Sequence, residues 1–327
     1  MSDSTKTAQE STIDAFKGED GARKSARNLG PRVYLRALTY DKLAFAALVI
    51  LSLMIVSAVF APFVSPHSPT DQSLALRNSP PMTASEDGGF PHLLGTDALG
   101  RDVLARLIYG ARISLTVGAL SVLVSGVAGV ILGLLSGYYR GIVDDIIMRI
   151  VDVQMGFPSL LLALVALYAL GPSVLNVILV LAFTRWTIYA RIARGITMSL
   201  RQNVYIDAAR AIGCNDRRIL LRHMLPNMLA PLLVLGVLEA ASIILAEASL
   251  SFLGLGIQPP DSSWGLMLAE GRQFIRTAWW LVMFPGLAIL LTALSLNLLA
   301  SWSRSVTDPV QRWRFLRPRR AASGSED

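Results

Sequence analysis

The chain has 327 residues, of which 53% are hydrophobic and 16% charged, against about a quarter charged in an ordinary soluble domain. Its formal net charge is +7, but the Lys and Arg residues flank apolar blocks and do not interleave with aromatic residues, which excludes a nucleic-acid surface and points to lipid. The single cysteine, Cys214, excludes an internal disulfide, and without CxxC or Cys/His ligand spacing no metal or other cofactor is implied.

In chain order, residues 1–42 are polar and mixed in charge, and are predicted to be a flexible cytoplasmic tail. Residues 43–61, Leu43 to Ala61, carry no charge and at 1.5 Å per residue cross roughly 30 Å of hydrocarbon. A cleaved signal peptide is the rival reading, but its apolar core spans only about 7–15 residues behind a short leader. The long polar leader here favours an uncleaved first span. Residues 62–112 form an outer loop, in which Thr96, Asp97, Arg101, Asp102, Arg106 and Arg112 are expected to make an interfacial helix that either meets a partner protein or anchors the second span.

Residues 113–303 hold five more apolar blocks. Ile113–Leu135 carries Gly129 and Gly133, followed by Gly137, a four-residue spacing that puts glycine on one face and lets a neighbouring helix approach closely. Val153–Leu170 contains Pro158 and follows Arg149 and Asp152, which are spaced to pair with each other. Gly171–Ala190 is interrupted by Arg185, whose long side chain is expected to reach the interface. Asn227–Leu253 encloses Glu239 and Glu247, and Trp279–Ser303 has Trp279, Trp280 and Trp302 at its ends, where indoles favour the membrane surface. Residues 304–327 read as a second tail. The expected fold is all-α and integral to the membrane, with six transmembrane helices. Lys and Arg gather in the two tails and between Arg191 and Arg222, which sets both termini in the cytoplasm.

Glu239 and Glu247 lie about 80° apart around one helix and share a broad face. An ionised carboxylate at mid-bilayer costs at least about 2.5 kcal/mol, so both must face protein or water. Two readings stand: they line a translocation pathway, with Glu239 meeting a substrate amine, or each pairs with a Ser or Arg of a neighbouring helix.

The inside stretch 191–226 is too polar to cross the bilayer. Tyr205, Ala208, Ala209 and Ile212 recur at helical spacing, Gly213 suits a left-handed cap, and Asn215 or Asp216 suits the start of a second helix. That helix would carry Ile219, Leu220, His223 and Met224 on one face and end at Pro226, leaving Arg217, Arg218 and Arg222 outward. The pattern fits a helix-turn-helix at the membrane surface, either an ordinary amphipathic hairpin or a docking element. The only stretch resembling a phosphate cradle, Gly18–Ser25, has Arg23 where a P-loop needs glycine, so no nucleotide site is expected. An ion-coupled secondary transporter would show inverted repeats, and none is visible. A membrane enzyme would need convergent catalytic groups, yet His67, His92 and His223 fall outside the spans and on different sides.

The residues then carry a resemblance. DAARAIGCNDRRILLRHMLPN, Asp207–Asn227, resembles the EAA loop of binding-protein-dependent ABC importer permeases, with its acidic-Ala-Ala triplet, following glycine and Leu-Pro end. Asp207 stands where Glu is usual, which keeps the charge, and His223 where Ile is frequent, as in the peptide-transporting branch. LLGTDALGRDVLARLIYGARISL (Leu93–Leu115) and EASLSFLGLGIQPPDSSWGLML (Glu247–Leu268) are similar to segments of the second permease of dipeptide and oligopeptide importers. The likeness runs roughly from Leu43 to Asn297 and includes Asp308-Pro309; between them LLASWSRSV departs from the family's glycine-rich acidic turn. The resemblance implies the type I ABC importer permease fold and no enzymatic activity of the chain's own. It gives Asp207, Ala208, Ala209, Gly213, Leu225 and Pro226 the role of docking into a cytoplasmic ATPase. It also implies a second permease subunit, two ATPases, a periplasmic solute-binding protein and a bacterial inner-membrane location. The implied cargo is di- or oligopeptides, with nickel chelates or opines as the alternative.

Overall fold

The computed structural model describes residues 38–39, 41–86 and 88–307. Most of the tail 1–42, the stretch Gly18–Ser25 and Asp308-Pro309 lie outside the described residues. Ala46–Ala300 form one compact unit, and Met1–Phe45 with Ser301–Asp327 group separately. The helices are α1 (Lys42–Val59), α2 (Ala61–Val64), α3 (Val103–Tyr139), α4 (Gly141–Met155), α5 (Ser159–Leu170) and α6 (Val174–Arg201). They continue with α7 (Val204–Ala211), α8 (Asp216–Phe252), α9 (Trp264–Gly271) and α10 (Trp280–Thr307).

Among the described residues, α1, α3, α6, α8 and α10 are long and apolar enough to cross a membrane. The sixth span is the pair α4 and α5, which meet at 88° across the break at Gly156–Pro158. The broken span has a local cause: Pro158 lacks the N–H to continue α4, and its fixed φ sets up the first turn of α5. Six spans therefore hold only with the third counted as a bent pair.

Boundaries move at the second and fourth spans. The second span starts at Val103 instead of Ile113, because Asp102 caps it, its Oδ2 accepting from the Ala105 amide at 2.7 Å. There is accordingly no separate interfacial helix at 96–112: its second half is the first turns of α3, a rod about 55 Å long. The fourth span runs on past Ala190 to Arg201, and Arg191 and Arg194 on its added turns meet carboxylates of α4. Arg191 Nη2 lies 2.6 Å from Asp152 Oδ1, which replaces the expected Arg149–Asp152 pair; Arg194 forks onto Asp144, with both N–O distances 2.6 Å.

The glycine face of α3 packs as its spacing predicts. A Cβ on Gly129 would collide with the Trp186 carbonyl, one on Gly133 with that of Ala190, and one on Gly137 would sit 2.8 Å from that of Arg194. Successive turns of α3 and α6 thus touch backbone to backbone, the contact that replaces hydrophobic drive in lipid. Three apolar clusters complete the unit. The outer one gathers Val103, Ala248, Trp264, Met267 and Leu281. The middle one gathers Val117, Leu167, Leu181 and Ile243, and the inner one Leu134, Ala193, Ile206, Ile219 and Met228. Helix α8 contributes to all three. Trp280 is not a membrane-surface anchor: it is buried and donates Nε1 to the Thr96 carbonyl at 3.2 Å.

Candidate functional site

The inner hairpin is built from α7 and the start of α8. Gly213 adopts φ +81°, its amide donating to the Arg210 carbonyl at 2.9 Å while the Cys214 amide donates to that of Ala209 at 3.0 Å. This closes α7 in the left-handed cap that its sequence forecasts. Asn215 Oδ1 then accepts from the Arg218 amide at 3.0 Å and starts the next helix.

Two expectations for the hairpin need correction. Pro226 does not end a helix. Ile219–Met224 form a π-helical turn, the Leu225 amide donates to the Leu220 carbonyl, and α8 continues to Phe252. The wider turn makes room for the ring of Pro226 and leaves its missing N–H at a place where the ladder is already shifted. The hairpin is therefore continuous with one end of a spanning helix, not a freestanding pair. Second, of Tyr205, Ala208, Ala209 and Ile212 only Ala209 is buried. The inward stripe is Ile206 and Ala209, which pack on Ile219, Leu220 and Met224. Its i, i+3 spacing was present in the sequence, masked by a stronger-looking pattern one residue away. Val204 and Ile212 are left 83% and 82% exposed, so the hairpin presents an apolar tip.

Of the residues tied to the docking role, Asp207, Ala208, Gly213 and Pro226 are exposed, Leu225 half-buried and Ala209 buried. Asp207 pairs with Arg210 on its own helix at 3.3 Å. The hairpin is held by a residue the sequence reading missed: Tyr138, at the inner end of α3, donates its hydroxyl to Asp216 Oδ1 at 2.5 Å. Arg210 and Arg201 stack over the same ring at 5.5 and 5.9 Å. The positions are 78 residues apart, and no local signal pairs them.

Within the bilayer the two glutamates separate. Glu247 is fully buried and accepts from Ser251 Oγ at 2.8 Å and from Ser114 Oγ of α3 at 3.2 Å, the arrangement of structural pairing. Glu239 faces Arg185 of α6, with Nη1 to Oε2 3.5 Å, so Arg185 turns to a carboxylate and not to the interface.

At the end of the spans away from the hairpin, Asp97 accepts from the amides of Leu99 and Arg101, from Arg101 Nε at 2.7 Å and from Arg106 Nη1 at 2.6 Å. Arg106 Nη1 also lies 2.7 Å from Glu270 of α9, tying the start of α3 to the segment after α8. Arg112 reaches the last carbonyls of α1, those of Ala58 and Val59, each at 3.0 Å. His67 and His92, both in the 62–112 segment, stack at 4.5 Å between ring centroids, and ligand atoms of both lie within 4.8 Å of one on Asp102. Their nitrogens are engaged, His92 Nδ1 with Asp102 Oδ1 at 2.8 Å and His67 Nε2 with the Phe90 carbonyl at 2.8 Å. These contacts fasten the 62–92 segment to Asp102, the cap of α3.

A multi-pass helical protein with a polar hairpin at one end of its spans has the build of a transport-system permease. The profile of the binding-protein-dependent transport system inner membrane component matches residues 129–312, and the chain belongs to that family. The N-terminal TM domain of oligopeptide transport permease C matches residues 32–81. Among similar proteins, the di/tripeptide transport system permease protein DppC of Pseudomonas aeruginosa is 41% identical over 276 residues, 84% of this chain and 91% of the relative. The dipeptide transport system permease protein DppC of Bacillus subtilis is 41% identical over 278 residues, 85% of each chain. The probable D,D-dipeptide transport system permease protein DdpC of Escherichia coli is 40% identical over 267 residues, 82% of this chain and 87% of the relative.

Proposed function

We infer that the chain is the peptide-translocating permease subunit of an ATP-driven importer. It sits in the bacterial inner membrane with both termini cytoplasmic, beside a second permease, two ATPases and a periplasmic binding protein. Support for the cargo comes from the relatives, whose names are those of dipeptide or di/tripeptide permeases. Support for ATP coupling comes chiefly from one observation: the hairpin carries exposed Val204 and Ile212 beside exposed Arg217 and Arg218. An apolar tip ringed by arginines suits a protein cleft better than either lipid or water.

On this reading Asp207, Ala208, Ala209, Gly213, Leu225 and Pro226 form the ATPase-docking element. Tyr138 and Asp216 join its movement to α3. Glu239 borders the pathway, and Glu247 holds α8 to α3. ATP binding by the partner shifts the population between inward-open and outward-open arrangements through the hairpin.

The test replaces Gly213 by Val in the complete importer. A Cβ there has open space, so the cost is confined to the backbone, which must leave φ +81°. Peptide uptake into proteoliposomes should fall at least tenfold while the complex still assembles. Undiminished uptake, or solute crossing with every ATPase removed, would sink the assignment.

A further inference from the structure

A cavity of about 240 Å3 opens where the broken span meets α6 and α8. Ser159, Thr184, Arg185, Ser242 and Ser249 supply its polar wall. Ser159 is the first residue of α5, a twelve-residue helix whose opening amides have no helical acceptor. The guanidinium of Arg185 is under-used. Its Nη1 meets Glu239 only at 3.5 Å, the limit of a hydrogen bond, and its Nε is buried without a partner. One turn along α6, the hydroxyl of Tyr189 is likewise buried and unpartnered in a side chain 2% exposed. Buried donors left unmade are costly, and an arginine inside a membrane span with most of its fork unspent is a group waiting for a counter-charge.

We propose that this cavity is a transit site for the free carboxylate of a short zwitterionic peptide. Arg185 takes the carboxylate in its fork, and Glu239, released from Arg185, faces the peptide's ammonium. A planar carboxylate satisfies two guanidinium donors at once, which the single long contact to Glu239 does not. The hydroxyl of Ser159 and the opening amides of α5 complete an anion-favouring wall. Glu239 at 11% and Arg185 at 20% side-chain exposure are sheltered enough for the exchange of partners to matter; Arg185 lines the cavity and Glu239 lies behind it, in contact with its guanidinium. The inference rests on the peptide-permease reading above.

The experiment uses the complete importer in proteoliposomes at saturating binding protein. Uptake of one dipeptide is compared with that of the same dipeptide amidated at its C-terminus, with assembly and melting temperature matched. Arg185→Gln and Glu239→Gln are each expected to lower uptake of the free acid at least tenfold. In Arg185→Gln the preference for acid over amide should fall towards one, whereas Arg185→Lys, which keeps the charge, should retain it. The exchange Arg185→Glu with Glu239→Arg should recover the melting temperature but not uptake. Recovery of uptake by the exchanged pair, or an unaltered acid preference in Arg185→Gln, would show that the pair only staples α6 to α8 and would overturn the proposal. A wild-type importer that moves no peptide at all would instead overturn the function on which the proposal stands, and the proposal with it.

Discussion

Asp97→Asn isolates what burial does for an ion pair. The side chain is nearly isosteric, and its oxygen can keep the amides of Leu99 and Arg101, now at 2.8 and 3.0 Å. The new NH2 instead confronts Arg101 Nε and Arg106 Nη1, donor against donor, where Asp97 Oδ2 accepts at 2.7 and 2.6 Å. Asp97 and Arg106 are 5% and 3% exposed, so the orphaned guanidinium cannot turn to water. Breaking a buried pair by removing one partner costs about 3–5 kcal/mol. Glu270, 2.7 Å from Arg106 Nη1 and 31% exposed in its side chain, keeps part of the counter-charge and places the cost near the lower end, about 3 kcal/mol. Asp152→Asn is the matched control: the Arg191–Asp152 contact is equally short at 2.6 Å, but its side chains are 51% and 63% exposed. Such a pair is worth under about 1 kcal/mol. Reversible unfolding of the purified complex in mixed micelles measures both. Equal destabilisation by the two variants would refute the argument, since the contact distances match while Asp97 is both buried and shared by two guanidiniums.

Gly133→Val should cost at least about 2 kcal/mol and reduce recovery of the assembled complex on size exclusion, because its Cβ alone meets the Ala190 carbonyl. Gly195→Ala, where a Cβ has open space, should leave recovery unchanged. Tyr138→Phe removes the hydroxyl from Asp216 and should loosen the hairpin by about 1–2 kcal/mol, read as faster amide exchange around Asp216–Met224 and slower ATP-driven uptake. Glu247→Gln should keep uptake near the wild-type level, because a carboxamide oxygen still accepts from Ser251 or Ser114; loss of uptake at normal stability would return Glu247 to the pathway.

Span number, the glycine face of α3, the Gly213 turn and the Asn215 cap were legible because each is written within a few residues of itself. Charge-free runs, four-residue glycine spacing and cap chemistry are local signals. What failed were boundaries and partners. The first turns of α3 were read as a separate interfacial helix and the last turns of α6 as part of a loop, because Glu270, Asp152 and Asp144, which accept Arg106, Arg191 and Arg194, come from distant segments. The same distance hid Tyr138–Asp216 and Arg185–Glu239. Pro226 misled because nothing in the residue pattern announces the π-helical turn that precedes it and carries the helix through.

Helices α3 and α8 each have 37 residues, which at 1.5 Å apiece makes two rods of about 55 Å, far longer than the oily layer they cross. Their inner ends are fastened at Tyr138 and Asp216, and farther out Ser114 and Glu247 fasten them again. Two beams pinned twice behave as one lever. A tilt of only about 10° about the midpoint carries each tip through about 5 Å, so a modest nudge at one face of the membrane displaces the opposite face by roughly the width of a dipeptide backbone.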